Sequence, residues 1–88
     1  MTRRPHLIRV RLFAAARAAA GGHGDVVVNA GSLDEVIEAL GELYGQGLAT
    51  VLQRSSFLAN DVAVSRRDRD HPLSEGTTID VLPPFAGG

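Results

Sequence analysis

The 88 residues allow a single domain, and a composition of 44% hydrophobic and 22% charged residues excludes a disordered tail or a collagen-like repeat. A formal net charge of −1 and an aromatic set of three phenylalanines and one tyrosine argue against a nucleic-acid groove or a polybasic membrane surface. The absence of cysteine excludes thiolate catalysis and cysteine-ligated zinc, and no apolar run is long enough to cross a bilayer. We therefore expect a cytoplasmic protein with no nucleic-acid or membrane partner.

The first third of the sequence predicts two strands with a short helical segment between them. Residues 7–13 alternate in polarity, which is the period of a half-buried strand. Residues 14–20 are rich in alanine and end at Gly21 and Gly22, which predicts one or two helical turns. Three consecutive valines predict a second strand over Asp25–Ala30, so the two strands are expected to form a hairpin-like pair.

A longer helix is predicted to begin after Ser32. Ser32 and Glu35 fit a capping box, in which the serine hydroxyl accepts from the Glu35 backbone N–H and the glutamate reaches back to Ser32. Apolar residues recur at helical spacing, at Leu33, Val36, Ile37, Leu40 and Tyr44. Gly45 stands where a helix is expected to end, whereas Gly41 lies inside the helix and predicts close packing on a sheet. Residues 48–52 predict a second short helical turn.

The remainder of the chain predicts two more strands. Residues 57–65 read as one strand with a kink at Asn60-Asp61, and residues 65–70 as a charged loop. Residues 77–82 predict the last strand. The order β-β-α-β-β predicts an α+β fold of the β-grasp, or ubiquitin-like, type. Its mixed sheet has one main helix across one face, with the first and last strands parallel and central.

The C-terminal segment carries the pattern that points to a function. After the domain predicted at residues 1–82, this tail consists of Pro83, Pro84, Phe85, Ala86, Gly87 and Gly88. Its two prolines cannot continue a ladder of strand hydrogen bonds, so we expect an extended and exposed segment. Two terminal glycines let a carboxylate pass through a channel too narrow for any Cβ atom. No conventional catalytic site and no metal site is predicted, because the three histidines share no ligand spacing.

These features resemble the small sulfur-carrier subunits of molybdopterin synthase, the MoaD branch of the MoaD/ThiS sulfur-carrier family. The resemblance covers essentially the whole chain. The segments that carry it are Leu12-Phe13-Ala14-Ala15-Ala16-Arg17 with Gly21, His71-Pro72-Leu73 with Gly76, and Leu82-Pro83-Pro84 followed by Gly87-Gly88. The Pro-Pro-x-x-Gly-Gly ending is the most specific of these. Asn60-Asp61 departs from the Asn-Gly that the family often has, which affects the hairpin and not the tail.

The resemblance implies that Gly88 is the reactive position. An E1-like (MoeB-like) activating enzyme adenylates Gly88 with ATP, and sulfur supplied by a sulfurtransferase displaces AMP to leave a C-terminal thiocarboxylate. A MoaE-like large synthase subunit then receives the tail, and the sulfur passes to cyclic pyranopterin monophosphate to form molybdopterin. The resemblance also implies that the catalytic side chains belong to the large subunit, that the carrier itself binds no cofactor, and that two carriers and two large subunits form a heterotetramer.

Alternation along the strands also predicts a docking surface on the open face of the sheet. The residues expected to face the helix are Ile8, Val10, Leu12, Ile79 and Val81. Those expected on the open face are Arg9, Arg11, Phe13, Asp80 and Leu82. Phe13 and Leu82 end parallel neighbouring strands beside the tail, so we expect them, with Ala63 from the adjoining strand, to bind both partner proteins. The alternative is that Phe13 and Leu82 pack under residues 14–20.

Other functions fit the same sequence. The thiocarboxylate could deliver sulfur to thiamine or cysteine biosynthesis instead. Alternatively, Gly88 could be joined to lysines of target proteins, as in a ubiquitin-like modifier, although a chain whose basic residues are all arginine cannot form polymers on itself. In a third alternative the tail is inert and the domain is only an interaction module.

Overall fold

The computed structural model describes residues 6–84, a range that includes every predicted strand and helix. The strands are β1 His6–Leu12, β2 Asp25–Ala30, β3 Ser56–Ala59, β4 Val62–Ala63 and β5 Thr78–Leu82. The helices are α1 Ala14–Ala19, α2 Leu33–Tyr44 and α3 Gln46–Leu52, and a 3-10 turn follows β4 at Arg66–Asp68. None of the helices in this range is long and apolar enough to span a membrane.

The strands form one mixed sheet in the order β2-β1-β5-β3-β4. β1 and β5 are central and parallel, in a register that runs from Arg9 opposite Thr78 to Leu12 opposite Val81. β2 pairs with β1, and β3 with both β5 and β4, in antiparallel fashion. This topology confirms the predicted β-grasp fold, and it joins the two ends of the domain through adjacent central strands.

The core lies between one face of the sheet and the helices. The residues predicted to face the helix are at most 1% exposed: Ile8, Val10, Leu12, Ile79 and Val81. From α2, the buried residues are Leu33, Val36 and Leu40, and α3 adds Leu48 and Leu52. Each such side chain contributes about 1.5–3 kcal/mol through its removal from water. The alternation in β1 and β5 therefore predicted correctly which face of the sheet is buried.

Local interactions fix both ends of α2. The Ser32 hydroxyl accepts from the Glu35 N–H at 3.3 Å, as the sequence predicts, and the Glu35 carboxylate accepts from the Gly31 N–H at 3.0 Å. At the other end Gly45 has φ +88°, and its N–H donates to the Gly41 carbonyl at 2.8 Å. Gly45 therefore ends α2 in a conformation that L side chains rarely adopt.

The prediction that Gly41 packs on the sheet is wrong. A Cβ atom at this position would lie 3.7 Å from the Cβ atom of Ala49, which belongs to α3. The sequence predicts only a short helical turn where α3 stands. The pattern of α2 alone does not indicate that α3 packs against Gly41. Gly41 therefore marks the contact between two helices.

The predicted strand at residues 57–65 is two short strands joined by a tight turn. Asn60 and Asp61 both have positive φ, +47° and +69°, as a two-residue type I′ hairpin requires. Asn60 also ties the turn to β5, because its side-chain oxygen accepts from the Thr78 N–H and its own N–H donates to the Thr78 carbonyl, each at 2.9 Å. Asn-Asp thus makes the turn that Asn-Gly commonly makes.

Candidate functional site

The C-terminal segment leaves the domain from the centre of the sheet. β5 lies between β1 and β3, ends at Leu82, and is followed by the exposed Pro83 and Pro84. Neither proline can donate a ladder hydrogen bond, so pairing with the neighbouring strands ends here. The predicted tail residues Phe85, Ala86, Gly87 and Gly88 lie outside the described residues.

Phe13 and Leu82 meet at the edge of the sheet from which the tail departs. The Phe13 N–H donates to the Val81 carbonyl at 3.2 Å, which continues the parallel pairing of β1 and β5 by one residue. Phe13 is 39% exposed and Leu82 is half-buried. Both line one groove of about 410 Å³, so the structure brings together two of the three residues predicted to form the docking surface.

This groove has walls that the sequence analysis did not identify. Besides Phe13 and Leu82, its lining consists of Ala14, Ala15 and Ala16 from α1, Thr50, Val51, Arg54 and Ser55 from α3 and the residues after it, and Pro83 and Pro84. Small alanine side chains on α1 leave the space open, and α3 closes the opposite side. The alternative, in which Phe13 and Leu82 pack under residues 14–20, stays a prediction, because Ala14, Ala15 and Ala16 line the same groove as these two residues.

Ala63 lies elsewhere on the sheet. Its partner across the β3–β4 pair is Leu58, which is in turn opposite Asp80 in β5. Ala63 is therefore two strand spacings, about 10 Å, to the side of Asp80 and does not line the groove of Phe13. It borders a separate cavity of about 380 Å³ with residues that include Val62 and Leu73. Ala63 shares the open face with Leu82 without touching the groove.

An ion pair stands on the open face next to Phe13. Arg11 Nε donates to Asp80 Oδ1 at 2.6 Å and Nη2 donates to Oδ2 at 2.7 Å, so the pair links β1 and β5. The hydrogen bond from Arg11 and its charge hold the pKa of Asp80 below its usual value, against the opposing effect of burial. The same hydrogen bond raises the pKa of Arg11. The Arg11 guanidinium carbon also lies 5.7 Å from the centre of the Phe13 ring, within the range of a cation–π contact.

The histidines do not form a site. His6 lies 3.4 Å from the Glu75 carboxylate, and His23 packs near Tyr44 with ring centres 6.0 Å apart. In the part of the chain that the structure describes, no group of three or more histidine, aspartate or glutamate side chains is arranged to hold a metal ion. The candidate functional site consists of the groove and the point from which the tail departs.

Comparisons with known proteins agree with this geometry. The sequence matches the ThiS family model over residues 10–88. Small archaeal modifier protein 1 from Methanosarcina acetivorans superposes with a TM-score of 0.81 at 22% identity, over 96% of this chain and 98% of that one. Mycobacterium tuberculosis CysO, an antigen, does so with a TM-score of 0.76 at 18% identity, over 89% and 99% of the two chains. These two similarities are evidence of a shared fold.

A chain in the complex of subunits 1 and 2 of molybdopterin-converting factor from Helicobacter pylori is also similar. It has a TM-score of 0.68 and 27% identity, over 93% of this chain and 99% of that one. No curated protein gives a significant sequence match. Because the family match covers most of the sequence and the topology agrees with it, the chain belongs to the ThiS family of ubiquitin-like sulfur carriers.

Proposed function

We propose that this chain is the sulfur-carrier subunit of a molybdopterin synthase. The observation that carries the proposal is the departure of a Pro-Pro-x-x-Gly-Gly tail from the central strand β5, directly beside an apolar groove that contains Phe13 and Leu82. A carrier needs such an arrangement, because a partner protein must bind the domain and contact the chain end at the same time. The 27% identity to a chain of the molybdopterin-converting factor complex supports the molybdenum branch of the family.

The proposed chemistry takes place at the carboxylate of Gly88. A carboxylate is a poor electrophile, so the activating enzyme first joins it to the α-phosphate of ATP and releases pyrophosphate. Hydrosulfide supplied through a sulfurtransferase then attacks the carbonyl carbon, and the bond between that carbon and the AMP oxygen breaks. AMP and a proton are released, and the product is a C-terminal thiocarboxylate. The carrier has no cysteine, so the sulfur is held on its backbone terminus rather than on a side chain.

The remaining roles belong to partner proteins. The large synthase subunit receives the residues from Pro83 to Gly87 in its active site and supplies the side chains that transfer sulfur to cyclic pyranopterin monophosphate. Two carriers and two large subunits form the working heterotetramer. The carrier itself binds no cofactor, since ATP is used on the activating enzyme, and we place the reaction in the cytoplasm, where ATP is available.

Docking is proposed to use the groove and the adjoining open face. Phe13 and Leu82 offer apolar surface next to the paired charges of Arg11 and Asp80, which matches the apolar centre and polar rim of a protein interface. Ala63 extends this surface along the same face, about 10 Å to the side. The activating enzyme and the large subunit would bind it in turn, because both must reach the same chain end.

A second function, modification of other proteins, is favoured by the similarity to small archaeal modifier protein 1 over almost the entire chain. In that function the activated Gly88 carbonyl is attacked by a lysine amine of a target protein instead of by sulfur. Delivery of the thiocarboxylate sulfur to thiamine or cysteine biosynthesis is a third possibility of the same chemistry. The acceptor separates these functions, whereas the activated chain end is common to them.

The first test is the intact mass of the purified chain after incubation with ATP, a sulfur source and an E1-like activating enzyme shown to be active on its own carrier. We expect a gain equal to the replacement of one oxygen by sulfur, and no gain in a variant that lacks Gly88. An unchanged mass of the full chain would contradict the carrier function.

A second test identifies the acceptor. The thiocarboxylated chain is mixed with a large synthase subunit and cyclic pyranopterin monophosphate, and molybdopterin formation is measured. Formation of molybdopterin with return of the chain to its original mass supports the molybdenum function. Covalent adducts of the chain with proteins of a cell extract, without molybdopterin formation, would support the modifier function instead.

A further inference from the structure

Within residues 6–84, the outer edge of β2 is an open strand edge. β2 stands at one end of the sheet and pairs only with β1, over six residues, whereas the strand at the other end, β4, has two residues. Proteins normally protect an exposed edge with proline, lysine, a bulge or a covering loop. Asp25–Ala30 contains neither proline nor lysine and pairs with β1 in continuous register.

The backbone groups that point outward from this edge can be identified from the hydrogen bonds. The Leu12 N–H donates to the Gly24 carbonyl at 2.9 Å, so this antiparallel pair is a hydrogen-bonded one. Such pairs alternate along the ladder, and the residues between them direct their N–H and C=O groups away from β1. Asp25, Val27 and Asn29 therefore present their backbone donors and acceptors outward, and no group in residues 6–84 bonds to them.

Side chains along the edge provide apolar surface on one face. By the alternation of the strand, the Asp25, Val27 and Asn29 side chains lie on the open face of the sheet, and Val27 is 59% exposed. At the carboxyl end of the strand the edge is closed, because the Gly31 carbonyl accepts from the Leu73 N–H at 2.9 Å. The free edge is thus about three outward-facing residues long and centred on Val27.

The opposite face of the edge is acidic. Asn29 and α2 border a shallow groove of about 210 Å³, and the α2 residues that line it are Glu35, Glu38, Ala39 and Glu42. Glu38 and Glu42 are exposed, and neither forms an ion pair with another side chain of residues 6–84. Backbone groups open to pairing therefore lie beside carboxylates that no side chain of residues 6–84 neutralises.

We propose that β2 accepts an extended basic segment of another protein as an added strand. Its backbone would pair with the outward N–H and C=O groups of Asp25, Val27 and Asn29. Because side chains of a strand alternate, every second residue of the segment would face Glu38 and Glu42, and those in between would cover Val27. The recognised sequence is thus an alternation of lysine or arginine with apolar residues.

A second copy of this chain fits the edge less well. Antiparallel pairing of two β2 strands about Val27 would relate the copies by a two-fold axis perpendicular to the sheet. Both α2 helices would then lie on the same face, and Glu38 and Glu42 of one copy would approach those of the other. Like charges facing each other across an interface disfavour the complex, whereas a basic segment neutralises them.

The proposed strand site is separate from the tail. β2 is two strand spacings from β5, about 10 Å, with β1 between them. A segment bound at β2 leaves Phe13, Leu82 and the chain end accessible, so a scaffold protein could hold the carrier while its partners act on the tail. The inference therefore does not rest on the sulfur-carrier function.

The test uses a short synthetic peptide of alternating lysine and valine, added to the full chain while backbone amide shifts are followed by NMR. We expect the largest shifts at Asp25, Val27 and Asn29, and weaker binding at higher salt. The matched control peptides have the same composition with a central proline, or glutamate in place of lysine, and should not bind. Deletion of residues 87–88 should leave binding unchanged, which separates this site from the tail.

Two sets of variants make the test specific. Val27→Pro removes an outward N–H without removing a hydrogen bond to β1, and it should abolish peptide binding. The double variant Glu38→Gln and Glu42→Gln keeps the strand intact and should weaken binding about three- to tenfold, the effect of losing exposed ion pairs. Equal binding of the glutamate peptide, shifts confined to other strands, or dimerisation of the chain that Val27→Pro abolishes would each overturn the proposal.

Discussion

Arg11 and Asp80 are joined by two parallel hydrogen bonds, of 2.6 and 2.7 Å, between neighbouring parallel strands. Asp80 is only 4% exposed, whereas Arg11 lies in contact with solvent. The pair holds β1 against β5, and its Asp80 lies two residues before β5 ends and the tail departs. Arg11 also contacts the Phe13 ring, so the same guanidinium connects the fold to the proposed docking surface.

Acid should weaken the fold through Asp80. Its pKa is lowered in the folded chain by the hydrogen bond and charge of Arg11, so the pair stabilises the fold above the unfolded pKa of about 3.9. That stabilisation is lost as the pH falls from there through the lower folded pKa. We expect Asp80→Asn to reduce the free energy of unfolding at neutral pH and to do so less as the pH falls below about 4. Urea unfolding at several pH values measures this.

The matched control for that experiment is Asp70→Asn, in an exposed loop position. Its effect should be small at all pH values, because surface substitutions change stability by about 0.5 kcal/mol or less. An equal loss of stability for Asp80→Asn at neutral and acid pH would show that the effect comes from packing rather than from the charge pair.

Local patterns in the sequence were sufficient to predict most elements of this fold. The alternation in β1 and β5 identified the buried face, and the Ser32 cap and Gly45 gave both ends of α2. These signals work because each depends on residues close together in the chain. The pairing of β1 with β5 followed only from the order of the elements and the burial of one sheet face.

Contacts between distant segments were less predictable. Arg11 and Asp80 are 69 positions apart, and nothing in either strand alone indicates that they pair. The groove beside Phe13 depends in the same way on α3, whose residues approach α1 only in the folded chain. The sequence predicts one strand at residues 57–65 beside the strand of Leu82, whereas in the structure Ala63 belongs to β4 and β3 lies between β4 and β5.

Leu82→Asp should disrupt the binding of partner proteins more than the fold. Leu82 is half-buried at the edge of the groove, so a charge there is expected to change the free energy of unfolding by about 1 kcal/mol or less. A charge at an apolar interface centre typically weakens binding tenfold or more, about 1.4 kcal/mol. Calorimetric titration with the large synthase subunit, together with thermal unfolding of the free chain, measures both effects.

Leu7→Asp is the control for the docking experiment. Leu7 is 51% exposed on the same open face but lies at the other end of β1 from Phe13. It should bind the large subunit like the unmodified chain. If Leu82→Asp instead unfolds the domain, Leu82 is a core residue, and comparable weakening by Leu7→Asp would place the interface elsewhere on the sheet.

Alanine should have opposite effects at Gly41, inside α2, and at Gly45, which follows its last residue. Gly41 has helical geometry and room for a Cβ atom at ordinary contact distance from Ala49, so Gly41→Ala should stabilise the fold by about 0.5–1 kcal/mol through helix propensity. Gly45 has φ +88° and ψ −171°, where a side chain is strained, so Gly45→Ala should destabilise it by about 1–3 kcal/mol. Thermal unfolding distinguishes the two variants. Destabilisation by Gly41→Ala would mean that α2 and α3 pack too closely to accept a Cβ atom at this position.

Asp61→Gly should stabilise the β3–β4 hairpin. Asp61 has φ +69° at the second position of the type I′ turn, and glycine adopts this conformation without steric cost. We expect a gain in the free energy of unfolding of up to about 1 kcal/mol, measured by urea unfolding. Asp61→Ala separates conformation from charge, because it removes the carboxylate and keeps the Cβ atom. It should destabilise the hairpin, and stabilisation by both variants would attribute the effect to the charge of Asp61 instead.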